Sequence, residues 1–436
     1  MKLHIENFAK ISSADILFDG LTVIAGDNNT GKSTVGKILY AFYRSLANHD
    51  SRIRKERKDA LAKKISESLD TRKFGPIEGL IEDGLSVRDI VTRVLESFWA
   101  EGDKMGMPHP SAEQKQATIS AYVEKIKPGY DQALRADDSE YAATIVGRVF
   151  DCVFHHQFHP LQPNEDRARL VLTIKGKDNV FEFSHLSGSC LNPTRFMNKA
   201  WYVATPDILS QVNVKRFGEG EDDHRYFDKY SFELIRELRG PGRELNSVEK
   251  RKIAEILSRL DSVIGGVFRA DEQGQHDLSL FEAGHNHPTK AENLSMGLKM
   301  FVLLRYMLEH GILSERDVLV LDEPENHLHP SWQVVFAQIV VLLKRELDLT
   351  VLVTSHSQFF VNALQRFSIS EGIAKNTNFY LSRYDEKHPG FCTFEHKGRF
   401  AAQIMRSFGR AYDLIGDLSG ETEDDAAEDP ADMRRD

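Results

Sequence analysis

Residues 26–34 read GDNNTGKST, between the apolar run LTVIA at 21–25 and VGKILYAFYRSL at 35–46. The first run has strand length, and on the other side Val35, Ile38, Leu39, Phe42 and Leu46 recur at helical spacing. A G-x-x-x-x-G-K-[ST] loop between a strand and a helix surrounds phosphate oxygens with backbone N–H groups. Its lysine reaches the outer phosphates and its hydroxyl meets Mg²⁺. Gly26, Gly31, Lys32 and Ser33 fill the fixed positions, and Asn28, Asn29, Thr30 and Thr34 complete the cradle. The following helix adds the free N–H groups and positive dipole end of its first turn. At average usage the fixed residues coincide by chance in roughly one or two chains in a hundred of this length. The strand-loop-helix setting lowers those odds, and the expectation is a nucleotide site.

Such a loop needs an acidic partner for its metal. DVLVLDEPENHLHP at 317–330 supplies one at the end of a second strand-like run, 318–321. Asp322 would face the metal across from Ser33, and Glu323 would orient or deprotonate an attacking water. The next run, LTVLVTSHS at 349–357, ends in His356, a candidate contact to the terminal phosphate. Ligands of open parallel sheets lie beyond the carboxyl ends of the strands, and three strand ends here carry phosphate chemistry. Upstream, ENLSMGLKMFVLLRYMLEHG at 292–311 offers Asn293 or Ser295 as the cap of a helix with Phe301, Leu304 and Leu308 on its apolar face. Ser295 and Gly297 sit at its anion-attracting start, 27 residues before Asp322. A carboxylate pair often opens a loop and every helix needs a cap, so the order of the four pieces carries the reading.

Together GDNNTGKST, NLSMGLK, VLVLDEPENHLHP and TSHS resemble an ABC-type ATPase, and the EPENHLHP and S-x-G-x-K forms resemble its OLD-like (AAA15, AAA_21) branch. The resemblance runs over about residues 1–46 and 168–400. It implies an α/β fold: an ABC-type P-loop ATPase core, a mixed sheet with helices and an antiparallel β subdomain, carrying a helical insertion. It implies ATP and Mg²⁺ as cofactors, Ser33 and Asp322 as metal-site groups, Glu323 as hydrolytic base and His356 as switch histidine. It also implies a head-to-tail homodimer, or a higher even-numbered oligomer, in which Ser295 and Gly297 act in trans on the terminal phosphate. The signature reads L-S-M-G-L where transporters have L-S-G-G-Q, which weakens a transporter reading, and Gln211 is only a weak counterpart of the metal-contacting glutamine.

Several OLD-like proteins carry a C-terminal TOPRIM nuclease domain, whereas 80 residues follow His356 here and no acidic nuclease site is visible among them. The role the resemblance implies is control of a separate effector, such as a nuclease, in prokaryotic defence against phage or plasmids. Contact with DNA or RNA stays open. One alternative is an SMC-like DNA repair or chromosome-maintenance ATPase, whose arms would need sustained heptads that this sequence lacks. Another is a nucleotide-sensing scaffold or toxin–antitoxin regulator.

Organisation follows from these anchors. The core is expected over 1–46 and 168–415, with a helical insertion at 47–167 and an acidic, disordered tail at 416–436. Hairpins are expected at 170–183 and 265–284, a strand at 200–205 and helix over 230–264. Seven Lys or Arg between 51 and 64 read first as a solvated helix face, with a phosphate-contacting patch as the alternative. The 436 residues, 41% hydrophobic, suffice for a sizeable core, and a net charge of -10 argues against nucleic-acid binding over the whole surface. Three distant cysteines point to no disulfide framework. No run reaches transmembrane length and MKLHIENF lacks a signal-peptide core, so a cytoplasmic protein without membrane contact is expected. HNH at 285–287 is too compact for a nuclease metal site. Cys152, His155, His156 and His159 have a spacing that could ligate zinc on one helical face, with chance clustering preferred.

Overall fold

Alternation, and its absence, sorts the strands of this computed structural model, which describes residues 1–68, 85–104, 107–135, 137–158, 160–161, 167–184, 188–191, 193–194, 198–212, 229–270, 278–399 and 404–405. The acidic tail, the expected core boundary at 415 and His159 lie outside the described residues. The chain opens with β1 (Lys2–Phe8) and β2 (Ile11–Leu17), which largely alternate buried and exposed positions, then β3 (Leu21–Gly26), buried throughout. Helix α1 (Lys32–Leu46) follows, then α2 (His49–Ser68), α3 (Val87–Lys104), α4 (Ala112–Arg135) and α5 (Asp138–Phe154). Next come β4 (Arg167–Ile174), β5 (Lys177–Ser184), β6 (Gly188–Leu191) and β7 (Ala200–Val203). Helices α6 (Ile208–Val212), α7 (Lys229–Arg239) and α8 (Ser247–Ile264) precede β8 (Gly266–Ala270), β9 (Leu278–Glu282) and β10 (Thr289–Lys290). The last stretch runs α9 (Met296–Glu309), β11 (Val318–Asp322), α10 (Pro330–Leu347), β12 (Thr350–Ser355), α11 (Gln358–Ser370), β13 (Thr377–Tyr384) and β14 (Cys392–His396).

Two compact units result: Met1–Arg44, Phe150–Leu186 and Asn198–Asp436 form one, Ser45–Val149 and Ser187–Met197 the other. In the first, ten strands line up as β5-β4-β1-β2-β14-β13-β3-β12-β11-β7. The β5-β4-β1-β2 side is antiparallel, while β13, β3, β12, β11 and β7 are parallel. Strands of a parallel sheet covered by helices on both faces read as unbroken apolar runs, which is the reason LTVIA, VLVL and TVLVT do not alternate. A smaller antiparallel sheet, β10-β9-β8, completes this unit. Helices α9 and α10 bury Phe301, Leu304, Phe336, Ile339 and Leu342 completely, each side chain contributing about 1.5–3 kcal/mol of hydrophobic stabilisation.

Phe150 joins the first unit because its ring meets an aromatic cluster. It lies 6.1 Å edge-on from Phe8, 5.8 Å from Phe181 and 4.7 Å from Phe183, while Phe42 stacks on Phe181 at 4.1 Å. In the second unit α2, α3 and α4 share a core that includes Ile65, Ile90, Val91, Val94 and Ile126. Arg57 of the basic run on α2 pairs there with Asp138 at 2.7 Å, while Glu56 of the same helix takes both terminal nitrogens of Arg148 on α5. The Arg57 pair, exposed as it is, belongs to a solvated helix face. No helix among the described residues is long and apolar enough to cross a membrane.

Candidate nucleotide site

Strand β12 lies between β3 and β11, with Val353 opposite both Val23 and Leu321, so three loops leave the carboxyl ends of adjacent parallel strands. The first is GDNNTGKST. Gly26 closes β3 at φ 149°, and a Cβ there would lie 2.5 Å from the Ser382 carbonyl oxygen, so only glycine fits. Thr30 Oγ1 donates to the Asp27 carbonyl at 2.7 Å and lies 2.6 Å from Ser382 Oγ, which pins the loop to β13. Asn29 is left-handed at φ 63°, its Oδ1 accepting from Lys10 Nζ at 3.0 Å; Gly31 has φ 79°, and Asn28 is exposed.

Lys32 begins α1 and is buried. Its Nζ donates to the carbonyls of Gly26 at 3.0 Å and Asp27 at 2.7 Å, and lies 3.8 Å from Glu323 Oε1. Burial holds the ammonium below the ordinary lysine range, although Glu323 and Asp322 pull the other way. Ser33 Oγ donates to Asp322 Oδ1 at 2.9 Å, and Thr34 sits half-buried on the same first turn, where N–H groups have no intrahelical partner.

Asp322 ends β11, and the chain then turns sharply: Glu323 is left-handed at φ 49°, which costs about 1 kcal/mol or more for a residue with a Cβ. Its N–H bonds to the Thr354 carbonyl at 3.1 Å and to Thr354 Oγ1 at 3.0 Å, and these contacts hold the turn. The carboxylate consequently stands between the other two loops, Oε1 toward Lys32 and Oε2 3.4 Å from His356 Nδ1. His356, half-exposed at 42%, follows β12. Lys32, Ser33, Asp322, Glu323 and His356 thus come together.

Ser295 and Gly297 lie at the start of α9. Ser295 caps α9, its Oγ accepting from Leu298 N at 3.4 Å, and Gly297 lets the helix approach the loop after β11, since a Cβ there would be 2.8 Å from the His327 carbonyl oxygen. Among the described residues no hydrogen bond or ion pair links either one to the group around Glu323. Lys299 of the same motif turns inward, its buried Nζ donating to Asp207 at 3.0 Å and Ser210 at 2.6 Å.

Residues 116–362, more than half of the chain, match the AAA_21 family, described as "AAA domain, putative AbiEii toxin, Type IV TA system". The chain belongs to AAA_21. Residues 1–86 also match the "AAA ATPase domain" family, AAA_15. A segment of 104 residues, 19% of this chain, is 28% identical to the "Zinc import ATP-binding protein ZnuC" of Rickettsia bellii, and spans 45% of that relative's length. The family matches mark a P-loop ATPase domain of the AAA type. Among solved structures, the SMC head domain from Thermotoga maritima is similar over 91% of this chain and 97% of its own, at 15% identity and a TM-score of 0.38. An Smc head domain with an extended coiled coil, bound to the C-terminal domain of ScpA derived from Pyrococcus furiosus, is similar over 96% and 98%, at 10% identity and a TM-score of 0.41.

The donor set fits Mg²⁺ with a nucleotide. Ser33 and Asp322 present two hard oxygens side by side, and Mg²⁺ is usually held by one or two carboxylates together with substrate phosphates and waters. No cluster of three or more His, Cys, Asp or Glu suited to a metal occurs among the described residues. Of the candidate zinc ligands, Cys152 lies on α5, which ends at Phe154, and His155 and His156 follow it exposed, at φ 50° and 63°, off the helical face that the spacing assumes. His285, Asn286 and His287 are exposed on the loop between β9 and β10. Gln211 lies on α6 with a buried Oε1 that meets no hydrogen-bond donor among the described residues.

Three further residues have clear places in this AAA_21 site: Thr354 and Glu325 lie inside the TSHS and EPENHLHP motifs, and Tyr202 lies outside every motif. Thr354 Oγ1 donates to Asp322 Oδ1, and Tyr202 OH donates to Asp322 Oδ2 at 2.7 Å. Glu325, 3% exposed, accepts from Ser355 Oγ at 2.6 Å, His356 N at 3.0 Å and Ser357 N at 3.3 Å. Burial raises its carboxyl above the ordinary range, against the bonds from Ser355 and His356. The PEN of VLVLDEPENHLHP was the available hint for Glu325.

Proposed function

We propose that this chain binds ATP with Mg²⁺ and hydrolyses the terminal phosphate, as an OLD-like ABC-type ATPase that dimerises head to tail and controls a separate effector protein. The observation that carries the ATPase reading is Glu323, set by its left-handed turn between Lys32 at 3.8 Å and His356 at 3.4 Å. Lys32, Gly31 and the first-turn N–H groups of α1 would hold the phosphates, and Ser33 with Asp322 the cation. The bound cation supplies charge neutralisation at the phosphate oxygens. Glu323 then accepts a proton from the attacking water, and His356 orients the terminal phosphate and the carboxylate.

The resemblance gives Ser295 and Gly297, at the exposed start of α9, a role on the nucleotide of a second copy. Control of an effector such as a nuclease, in defence against phage or plasmids, follows from the OLD-like resemblance. The family description, with its toxin–antitoxin wording, favours one further reading: a regulator in which binding matters and hydrolysis is incidental. Partner release by a non-hydrolysable analogue as effective as ATP would select that reading.

Glu323→Gln tests the assignment. ATP binding should stay within twofold while turnover falls on the order of 10²–10⁴-fold, as for loss of a general base. Unchanged turnover would remove Glu323 from the role.

A further inference from the structure

Tyr202 sits on β7, opposite Val320 of β11 and two residues short of that strand's functional end. It is 1% exposed, and its ring is confined on several sides. The Tyr230 ring of α7 lies 4.6 Å away and the Tyr40 ring of α1 lies 6.3 Å away, edge-on. Gly36, one turn after Ser33, brings α1 so near that a Cβ there would come within 3.1 Å of Tyr202 Cε2. A phenylalanine would fill this space without the cost of desolvating a hydroxyl, so the buried hydroxyl needs its bond to Asp322 Oδ2 at 2.7 Å.

That bond completes a division of labour on one carboxylate. Oδ1 is shared by Ser33 Oγ and Thr354 Oγ1, while Oδ2 is held by Tyr202 alone among the hydrogen bonds seen at that oxygen. With both oxygens engaged the carboxylate plane cannot rotate, and the helix that carries Ser33 packs on the ring that fixes it. We propose that Tyr202 is a positioning residue for the divalent cation, which holds the plane of Asp322 so that a cation arriving with nucleotide meets an oriented ligand. The inference rests on the ATP–Mg²⁺ reading above.

Binding of a fluorescent ATP analogue, followed as Mg²⁺ is titrated, reads this role without turnover. Tyr202→Phe should shift the Mg²⁺ midpoint upward by about 10-fold, the lower end of what loss of an outer-shell partner costs, and leave binding in EDTA unchanged. Tyr40→Phe removes a neighbouring hydroxyl that bonds Glu233 at 2.6 Å, and should leave the midpoint in place. Tyr202→Met, apolar and flexible, carries the same expectation as the Phe variant and serves if that variant does not fold. A wild-type midpoint in a folded Tyr202 variant overturns the inference and leaves the ATPase reading standing. Absence of any Mg²⁺-dependent binding in the wild type overturns both.

Discussion

Glu325 shows how much one buried side chain can govern here. Its Oε1 takes three donors from the turn between β12 and α11, the turn that presents His356. Glu325→Ala would take the acceptor from Ser355 Oγ and His356 N, while Ser357 N keeps Ser355 Oγ at 3.0 Å, and a loss of about 1–3 kcal/mol is expected in denaturant unfolding. Glu325→Gln keeps the acceptor and should lose less. The pH dependence separates the two effects. Because burial raises the folded-state pKa, the unfolded chain ionises first as pH rises through about 4.3, and wild-type stability falls from there until the folded pKa is passed. The Gln variant has no such term. The stability of wild type relative to Glu325→Gln should therefore be greater near pH 4 than at pH 7, and the opposite trend would show that Glu325 is held ionised. The residues that spacing picks out, Lys32, Ser33, Asp322, Glu323 and His356, each stand at a short fixed offset from a strand end. Thr354 and Glu325 lie inside the same motifs, yet their bonds to Asp322 and to the turn after β12 exist only because β11 and β12 are neighbours; Tyr202, 120 residues from Asp322, lies outside every motif, and no spacing rule reaches that far.

At the scale of elements, the runs LTVIA, VLVLD and TVLVT were legible as buried strands because both faces are covered, and the helix after the phosphate loop because its apolar residues keep a 3.6-residue period. The placement of β14 was not legible. It runs parallel to β2, with Cys392 opposite Ile11, and so joins the antiparallel and parallel halves of the sheet, a pairing between residues some 380 apart that local pattern cannot encode. Asp385, in the turn before β14, secures this junction by accepting from Ser12 Oγ of β2 at 2.7 Å, as well as from His388 Nδ1 at 2.9 Å and Lys387 N at 2.9 Å. The His388 and Ser12 bonds hold its carboxyl down at about 2. A depressed folded-state pKa means that the stabilisation is complete above the unfolded value of about 3.9 and is lost as pH falls through about 2. Asp385→Ala is accordingly expected to lower stability by about 1 kcal/mol at neutral pH. Its thermal midpoint should converge on that of the wild type between pH 4 and pH 2. A gap that persists unchanged at pH 2 would mean that the side chain acts through packing and not through its charge.

The whole molecule raises the question of where a complete site is assembled. One chain brings Lys32, Ser33, Asp322, Glu323 and His356 together, while Ser295 stands at the exposed start of α9 with its hydroxyl turned to its own helix. In a head-to-tail pair each nucleotide would meet the phosphate loop of one copy and Ser295 of the other. Lys32→Ala and Ser295→Ala should each abolish turnover alone, because every site in either homodimer lacks one component. Mixing the two variants gives a different result. If subunits exchange freely, half the dimers are mixed, and each mixed dimer holds one doubly damaged site and one intact site. Turnover should then return to about a quarter of the wild-type value. A chain that built its whole site from its own residues would recover nothing on mixing, so zero recovery with demonstrated subunit exchange would place Ser295 outside the partner's site and remove the argument for a head-to-tail pair.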